Sequence, residues 1–187
     1  TVGEKWQFQR IDLWKGAVIG TPTFQVDRID AQGAMVFRND GDYADPWYHF
    51  SRSLLASTAP GQAASDGADV WWAGMKAGDR RKVNLVAKQR RRDGSVVPAE
   101  VSVNLLHKGV EKIRVPAGEY EALYLEADGS SEWVGLDNAP AFFRWTMGLW
   151  YVPALRAFAA TELKSTTTRE RLELASFQLR TGPLAAR

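Results

Sequence analysis

The chain has 187 residues, 45% hydrophobic and 25% charged, which suits a soluble globular domain with a real core rather than a disordered segment. Its 24 basic and 22 acidic residues leave a net charge of +2, too balanced to indicate nucleic-acid binding, and no apolar run approaches the roughly 20 residues that span a bilayer. With no cysteine, disulfides, thiolate nucleophiles and zinc–thiolate sites are excluded.

Period-two patterning dominates from the first residues. Trp6 and Phe8 alternate with Lys5, Gln7 and Gln9, and the apolar parity then switches to Ile11 and Leu13. Such a switch predicts a strand with a bulge near Gln9 or Arg10. Strands are expected over residues 23–30, 34–39, 70–75, 132–136, 149–152 and 157–164. His49 follows Asp45-Pro46-Trp47-Tyr48 in an expected loop, and residues 51–67, rich in Ala, Ser, Gly and Pro, read as an excursion with one helical turn at 52–56. Residues 142–147 and 155–163 also satisfy a short helical period. In the last strand Leu172 and Leu174 hand over to Phe177 and Leu179, predicting a bulge near Ala175.

Two hairpins can be read closely. A three-residue loop Arg92-Asp93-Gly94 sets Val83 opposite Val103 and Leu85 opposite Val101, segregating apolar from polar faces. A two-residue Asp93-Gly94 loop would mix them. For the second hairpin a four-residue loop, Pro116 to Glu119, aligns Val115 with Tyr120 and Ile113 with Ala122. Pro116 presets a turn dihedral there and Gly118 tolerates positive φ.

Three landmarks in order carry a resemblance: Val2-Gly3-Glu4-Lys5-Trp6-Gln7-Phe8, Val115-Pro116-Ala117-Gly118-Glu119-Tyr120-Glu121-Ala122, and Trp150-Tyr151-Val152-Pro153. The chain resembles, on these, a family of exported bacterial β-rich domains of unknown function, of periplasmic or lipoprotein type. The resemblance implies a curved sheet or open barrel outside the cytoplasm. It carries no catalytic residues.

The chemistry-bearing residues form no recognisable catalytic or metal motif. The two histidines, His49 and His107, lack a third ligand at any standard spacing; His107 shares the parity of Val101, Val103 and Leu105 and is expected to face inward. Acid pairs stand at Asp40 with Asp42 and at Glu119 with Glu121; the latter two alternate on one side of a strand, where an exposed face explains them, and nothing in the sequence prefers them as a glycosidase pair. Arg80-Arg81-Lys82 and Arg90-Arg91-Arg92 lie at opposite ends of one strand, roughly 30 Å apart, where charge protects edges or meets anionic head groups or acidic glycans.

The eight tryptophans are the strongest functional lead. Trp71 and Trp72, if in a strand, point to opposite faces, and the run from Phe142 to Tyr151 is more apolar than one face requires. Candidate ligand-binding residues are therefore Trp71, Trp72, Phe143, Trp145, Trp150 and Tyr151, with no catalytic residue, metal ligand or cofactor expected.

The sequence thus predicts an all-β single domain over residues 1–181, a long, curved, mostly antiparallel sheet forming an open barrel or half-barrel with at most one or two short helices. A disordered tail is expected at 182–187. The expected function is a non-enzymatic extracytoplasmic binding module for a hydrophobic ligand such as a lipid or acyl chain. The alternative is a protein-interaction or structural envelope domain, possibly a homodimer; an enzyme acting on an envelope polymer ranks third. Expected partners are a hydrophobic small molecule or an envelope protein, with peripheral membrane contact and no nucleic acid. The expected location is periplasmic or anchored to the outer membrane, with a leader before Thr1.

Overall fold

The computed structural model describes residues 2–29, 35–39, 47–50, 57–58, 72, 74–90, 96–134, 140–155 and 157–179. Among the described residues twelve strands follow in chain order: β1 Lys5–Asp12, β2 Ala17–Gly20, β3 Thr23–Ile29, β4 Met35–Asn39, β5 Trp47–Phe50, β6 Ser57–Thr58, β7 Arg80–Arg90, β8 Val96–Val115, β9 Gly118–Val134, β10 Pro140–Val152, β11 Ala157–Ser165 and β12 Arg169–Gln178. A 3-10 turn, Pro153–Leu155, links β10 to β11. The strands form one sheet ordered β6-β5-β4-β3-β1-β12-β11-β10-β9-β8-β7, with β2 attached to β1 alone. Every ladder among the described residues is antiparallel, and the path stays open, with β6 and β7 at its edges. The expected all-β architecture is the one observed.

Register follows the apolar pattern where that pattern is unambiguous. Val83 pairs with Val103 and Leu85 with Val101, as face segregation requires; the connecting loop lies outside the described residues. The second hairpin differs from expectation. Val115 pairs with Gly118 and Ile113 with Tyr120, so the loop is the two residues Pro116-Ala117 and the register is displaced by two from the one predicted. A displacement of two preserves which residues share a face, so alternation alone could not exclude it. Gly118, at φ 137°, closes the turn, and the Tyr120 hydroxyl donates to the Ala117 carbonyl at 2.8 Å.

The bulge at Ala175 is present: Gln7 pairs with Ser176 and Phe8 with Leu174, leaving Ala175 unpaired. The bulge expected in β1 is absent, because Phe8 to Asp12 pair continuously with Leu174 to Glu170. The extra residue lies instead on β2, where Arg10 pairs with Gly20 and Ile11 with Val18, skipping Ile19. A further bulge at Lys108 sits beside His107 in β8.

Other expectations are also corrected. Trp72, Gly74 and Met75 lie in turn and irregular structure, not a strand. His49 stands in β5, not a loop. Residues 142–147 and 157–163 are strand, their helical period overridden by ladders with β9, β11 and β12. Trp71, the turn at 52–56 and the tail at 182–187 lie outside the described residues.

Two apolar clusters hold the sheet. Trp6, Phe8, Val26, Ile113, Val115, Ala122 and Leu174 belong to the first, where the β8–β9 hairpin tip meets β12: the Ala117 amide donates to the Leu174 carbonyl at 3.0 Å. The second gathers Trp72, Val103, Leu105, Leu125, Ala127, Leu149 and Phe158 on one face of β8–β11. The residues alternating with them, Asn104, Glu126, Asp128, Thr146 and Gly148, occupy the opposite face and floor a cleft.

Candidate functional site

The cleft measures about 870 Å³ and crosses the sheet from β7 to β12. Its register explains its lining. Lys82 pairs with Asn104, Asn104 with Asp128 and Asp128 with Thr146, placing one polar residue from each of β7 to β10 in a row. The adjacent row runs from Arg80 through Leu106 and Glu126 to Gly148 and then Glu162 and Arg171. Antiparallel pairing thus turns alternate polar positions of six strands into a continuous surface.

An aromatic and ionic stack forms one side. Trp150 lies nearly parallel to Tyr124, ring centroids 4.8 Å apart and 15° between planes, and Arg171 covers Trp150 at 5.1 Å. The Trp150 indole N–H donates to Glu111, and the Tyr124 hydroxyl to Glu126 at 3.2 Å. Gly148 lies beneath the pair; a Cβ there would stand 3.0 Å from the Trp150 ring and 3.4 Å from Tyr124. Arg171 donates to Glu173 at 2.8 Å and to Glu162 at 3.4 Å, while Lys164 meets Glu162 at 2.8 Å.

These contacts set the protonation states. Burial pushes the Tyr124 phenol up, and the Glu126, Glu111 and Glu162 carboxylates add to this, bringing it to about 12. At neutral pH it is a hydrogen-bond donor. Burial alone would raise the Glu162 carboxyl, but hydrogen bonds and charge from Lys164 and Arg171 outweigh it and hold it below the usual range. Glu162 is thus a committed acceptor, unsuited to acid catalysis at neutral pH.

The sequence-predicted residues divide between the two faces. Trp150 lines the cleft. Trp72 and Tyr151 pack on the opposite face with Phe158, at centroid separations of 5.1 to 5.7 Å. Trp145 joins the same apolar cluster, its ring lying over Gly129. Phe143 shares the parity of Trp145 and is half-buried. Trp71 lies outside the described residues. His107 is buried as expected, with no hydrogen-bond partner at Nδ1. Of the basic runs, Arg80 to Lys82 line the cleft. Tyr124, Glu126, Glu162 and Arg171 were not singled out from sequence.

Three solved structures share this fold. The chain superimposes on a predicted lipoprotein from Parabacteroides distasonis with TM-score 0.55 at 14% identity, covering 95% of this chain and 96% of that one. A predicted exported protein with a YmcC-like fold from Bacteroides fragilis gives TM-score 0.53 at 13% identity, covering 96% and 97%. The hypothetical lipoprotein YmcC from Escherichia coli gives 0.55 at 10% identity, covering 98% and 87%. The likeness is one of fold. No protein-family model and no curated protein matches the chain.

Proposed function

We propose that this protein is a non-enzymatic binding module that works outside the cytoplasm and takes its ligand in the cleft across β7 to β12. Its location is supported by its fold neighbours, two of them predicted or hypothetical lipoproteins and the third a predicted exported protein. One observation carries the binding role: a cleft of about 870 Å³ with exposed cations on one side and a hydrogen-bonded aromatic and ionic stack on the other, within the size range of small-molecule sites. Arg80 and Lys82 stand on one side, the Tyr124–Trp150–Arg171 stack on the other, and Asn104, Asp128 and Thr146 lie between. This lining suits a polar or amphipathic ligand, because a bare acyl chain would strip water from its charges without replacing their hydrogen bonds.

The hydrophobic-ligand reading has its own support on the opposite face, where Phe143, Trp145 and Tyr151 remain half-buried rather than fully enclosed. One experiment separates the two. Native mass spectrometry of protein from its own host detects co-purified ligand in the wild type, in Thr146→Trp, which fills the cleft, and in Phe143→Ser. Loss of a polar ligand in Thr146→Trp alone supports the cleft. Loss of a lipid in Phe143→Ser alone overturns it in favour of the aromatic face.

A further inference from the structure

A separate feature lies at the β1–β2 hairpin, none of whose residues lines the cleft. Three large apolar residues are exposed there: Trp14 at 59%, Val18 at 53% and Ile19 at 41%. Elsewhere among the described residues, exposed large apolar side chains occur singly, as Val2, Val110, Phe142 and Phe177, which is ordinary for a protein surface. The hairpin is held in shape. Asp12 Oδ1 accepts the Trp14 and Lys15 amides at 2.9 and 3.1 Å, and Gly16 turns the chain at φ 63°. Local order therefore presents Trp14 outward instead of letting it fold back. The bulge at Ile19 takes that residue out of the alternation with β1.

Charge surrounds this tip in a particular arrangement. The Leu13 amide donates to the Arg169 carbonyl at 2.9 Å, which sets the β11–β12 turn beside the hairpin. Lys15 projects while its partner recedes, at 75% exposed against 15% for Asp12; Lys164, at the edge of the cleft, does the same against Glu162, and the neighbouring Arg10–Glu170 pair is evenly recessed at 27% and 26%. Arg169 is exposed as well. A surface that meets it encounters Trp, Val and Ile with the Lys15 and Arg169 cations projecting beside them. This combination matches an anionic bilayer interface, where indole rings settle at head-group level and lysine and arginine stems reach the phosphates.

We propose that the β1–β2 hairpin is a peripheral membrane-docking element, with Trp14, Val18 and Ile19 entering the head-group region and Lys15 and Arg169 contacting anionic lipid. The occupant is a lipid surface because Lys15 and Arg169 stand exposed beside an apolar tip while the Asp12 carboxylate is recessed. The element is too short to span a bilayer and holds the domain at the surface.

Flotation with vesicles of equimolar phosphatidylcholine and phosphatidylglycerol, and with vesicles of phosphatidylcholine alone, tests this. The wild type floats with the anionic vesicles, less with the neutral ones, and less as salt is raised. Trp14→Ser lowers the partition coefficient roughly tenfold, Ile19→Ser by a smaller factor, and Lys15→Gln with Arg169→Gln removes the preference for anionic lipid. Far-UV circular dichroism of each variant stays that of the wild type. Absence of wild-type flotation, or equal flotation of Trp14→Ser, overturns the proposal. So does light scattering that shows a dimer abolished by Trp14→Ser, which would make the hairpin an interface between copies.

Discussion

Gly129→Ala tests whether strand glycines in this sheet serve as seats for tryptophan rings. Gly129 is buried on β9, directly paired with Trp145 on β10, and the indole lies across it. A Cβ at position 129 would stand 2.2, 2.4 and 2.5 Å from Cζ2, Cε2 and Cη2 of that ring. Ordinary carbon–carbon contact is about 3.5–4.0 Å, so the ring must retreat by more than about 1 Å. Retreat would also strain the bond from the Trp145 indole N–H to Ser131 Oγ, already 3.4 Å long. Overpacking of this kind costs about 1–3 kcal/mol, and replacing a strand glycine by alanine returns about 0.5–1 kcal/mol of backbone entropy. The expected net loss is about 1 kcal/mol from the middle of these ranges and at most about 2.5 kcal/mol, a fall in Tm of about 2–10 °C for a chain of this size. Urea unfolding followed by tryptophan fluorescence measures it. The decisive control is the same substitution in a Trp145→Ala background, where the cost vanishes and the cycle assigns it to the pair. Equal losses in both backgrounds would refute the reasoning.

Other expectations follow from single contacts. Gly118→Val places a β-branched residue at φ 137° with its Cβ 3.3 Å from the Tyr120 hydroxyl, and is expected to lower the urea midpoint by the equivalent of about 1–3 kcal/mol. Tyr124 holds its proton more tightly in the folded state. The stability this gives is complete below pH ~10 and falls as pH rises from there toward 12, so the alkaline limb of the stability curve should flatten in Tyr124→Phe. Glu162 behaves oppositely: its lowered value gives stability present above pH ~4.3 and lost as pH falls through the folded value, and Glu162→Gln should flatten the acid limb. His107→Leu removes a buried ring nitrogen with no partner at Nδ1, and chemical denaturation should find it within about 1 kcal/mol of the wild type rather than at the 2–5 kcal/mol typical of truncated core residues.

Much of the fold was legible because strand parity is a strong signal over long strands. The first hairpin register and the Ala175 bulge both follow from keeping apolar residues on one face. Parity fixes register only up to steps of two, however, and the second hairpin shows the consequence. Gly118 was recognised as a left-handed turn residue, yet it closes a two-residue loop instead of sitting inside a four-residue one. Closure depends on contacts outside the local pattern, among them Ala117 bonding to Leu174 on a strand more than fifty residues away. The strand expectation for Trp72 failed at a different step, since Trp72 lies in a turn. There its ring reaches Tyr151 and Phe158 without the constraint that adjacent residues face apart.

The cleft was less legible because attention to apolar residues describes one face of the sheet and leaves the other blank. Trp145, Tyr151 and Trp150 are close in sequence, yet alternation sends Trp150 to the opposite face, where its neighbours are Tyr124 and Arg171. Those partners come from three strands, and nothing local links them. The available signal was the polar half of the same alternation: Glu126 with Asp128, Glu162 with Lys164 and Arg171 with Glu173 each stand two apart, so each pair shares a face. Charges repeated at period two on consecutive neighbouring strands are costly to leave without a role if that face is covered, and soluble if it is open. Glycines within the strands add the second half of the signal, since Gly129 and Gly148 sacrifice strand stability to make room for Trp145 and Trp150 on opposite faces. Together they imply that both faces of β8 to β10 are shaped, one by apolar packing and one by a polar cleft. A sheet kept only for its core would not need the second.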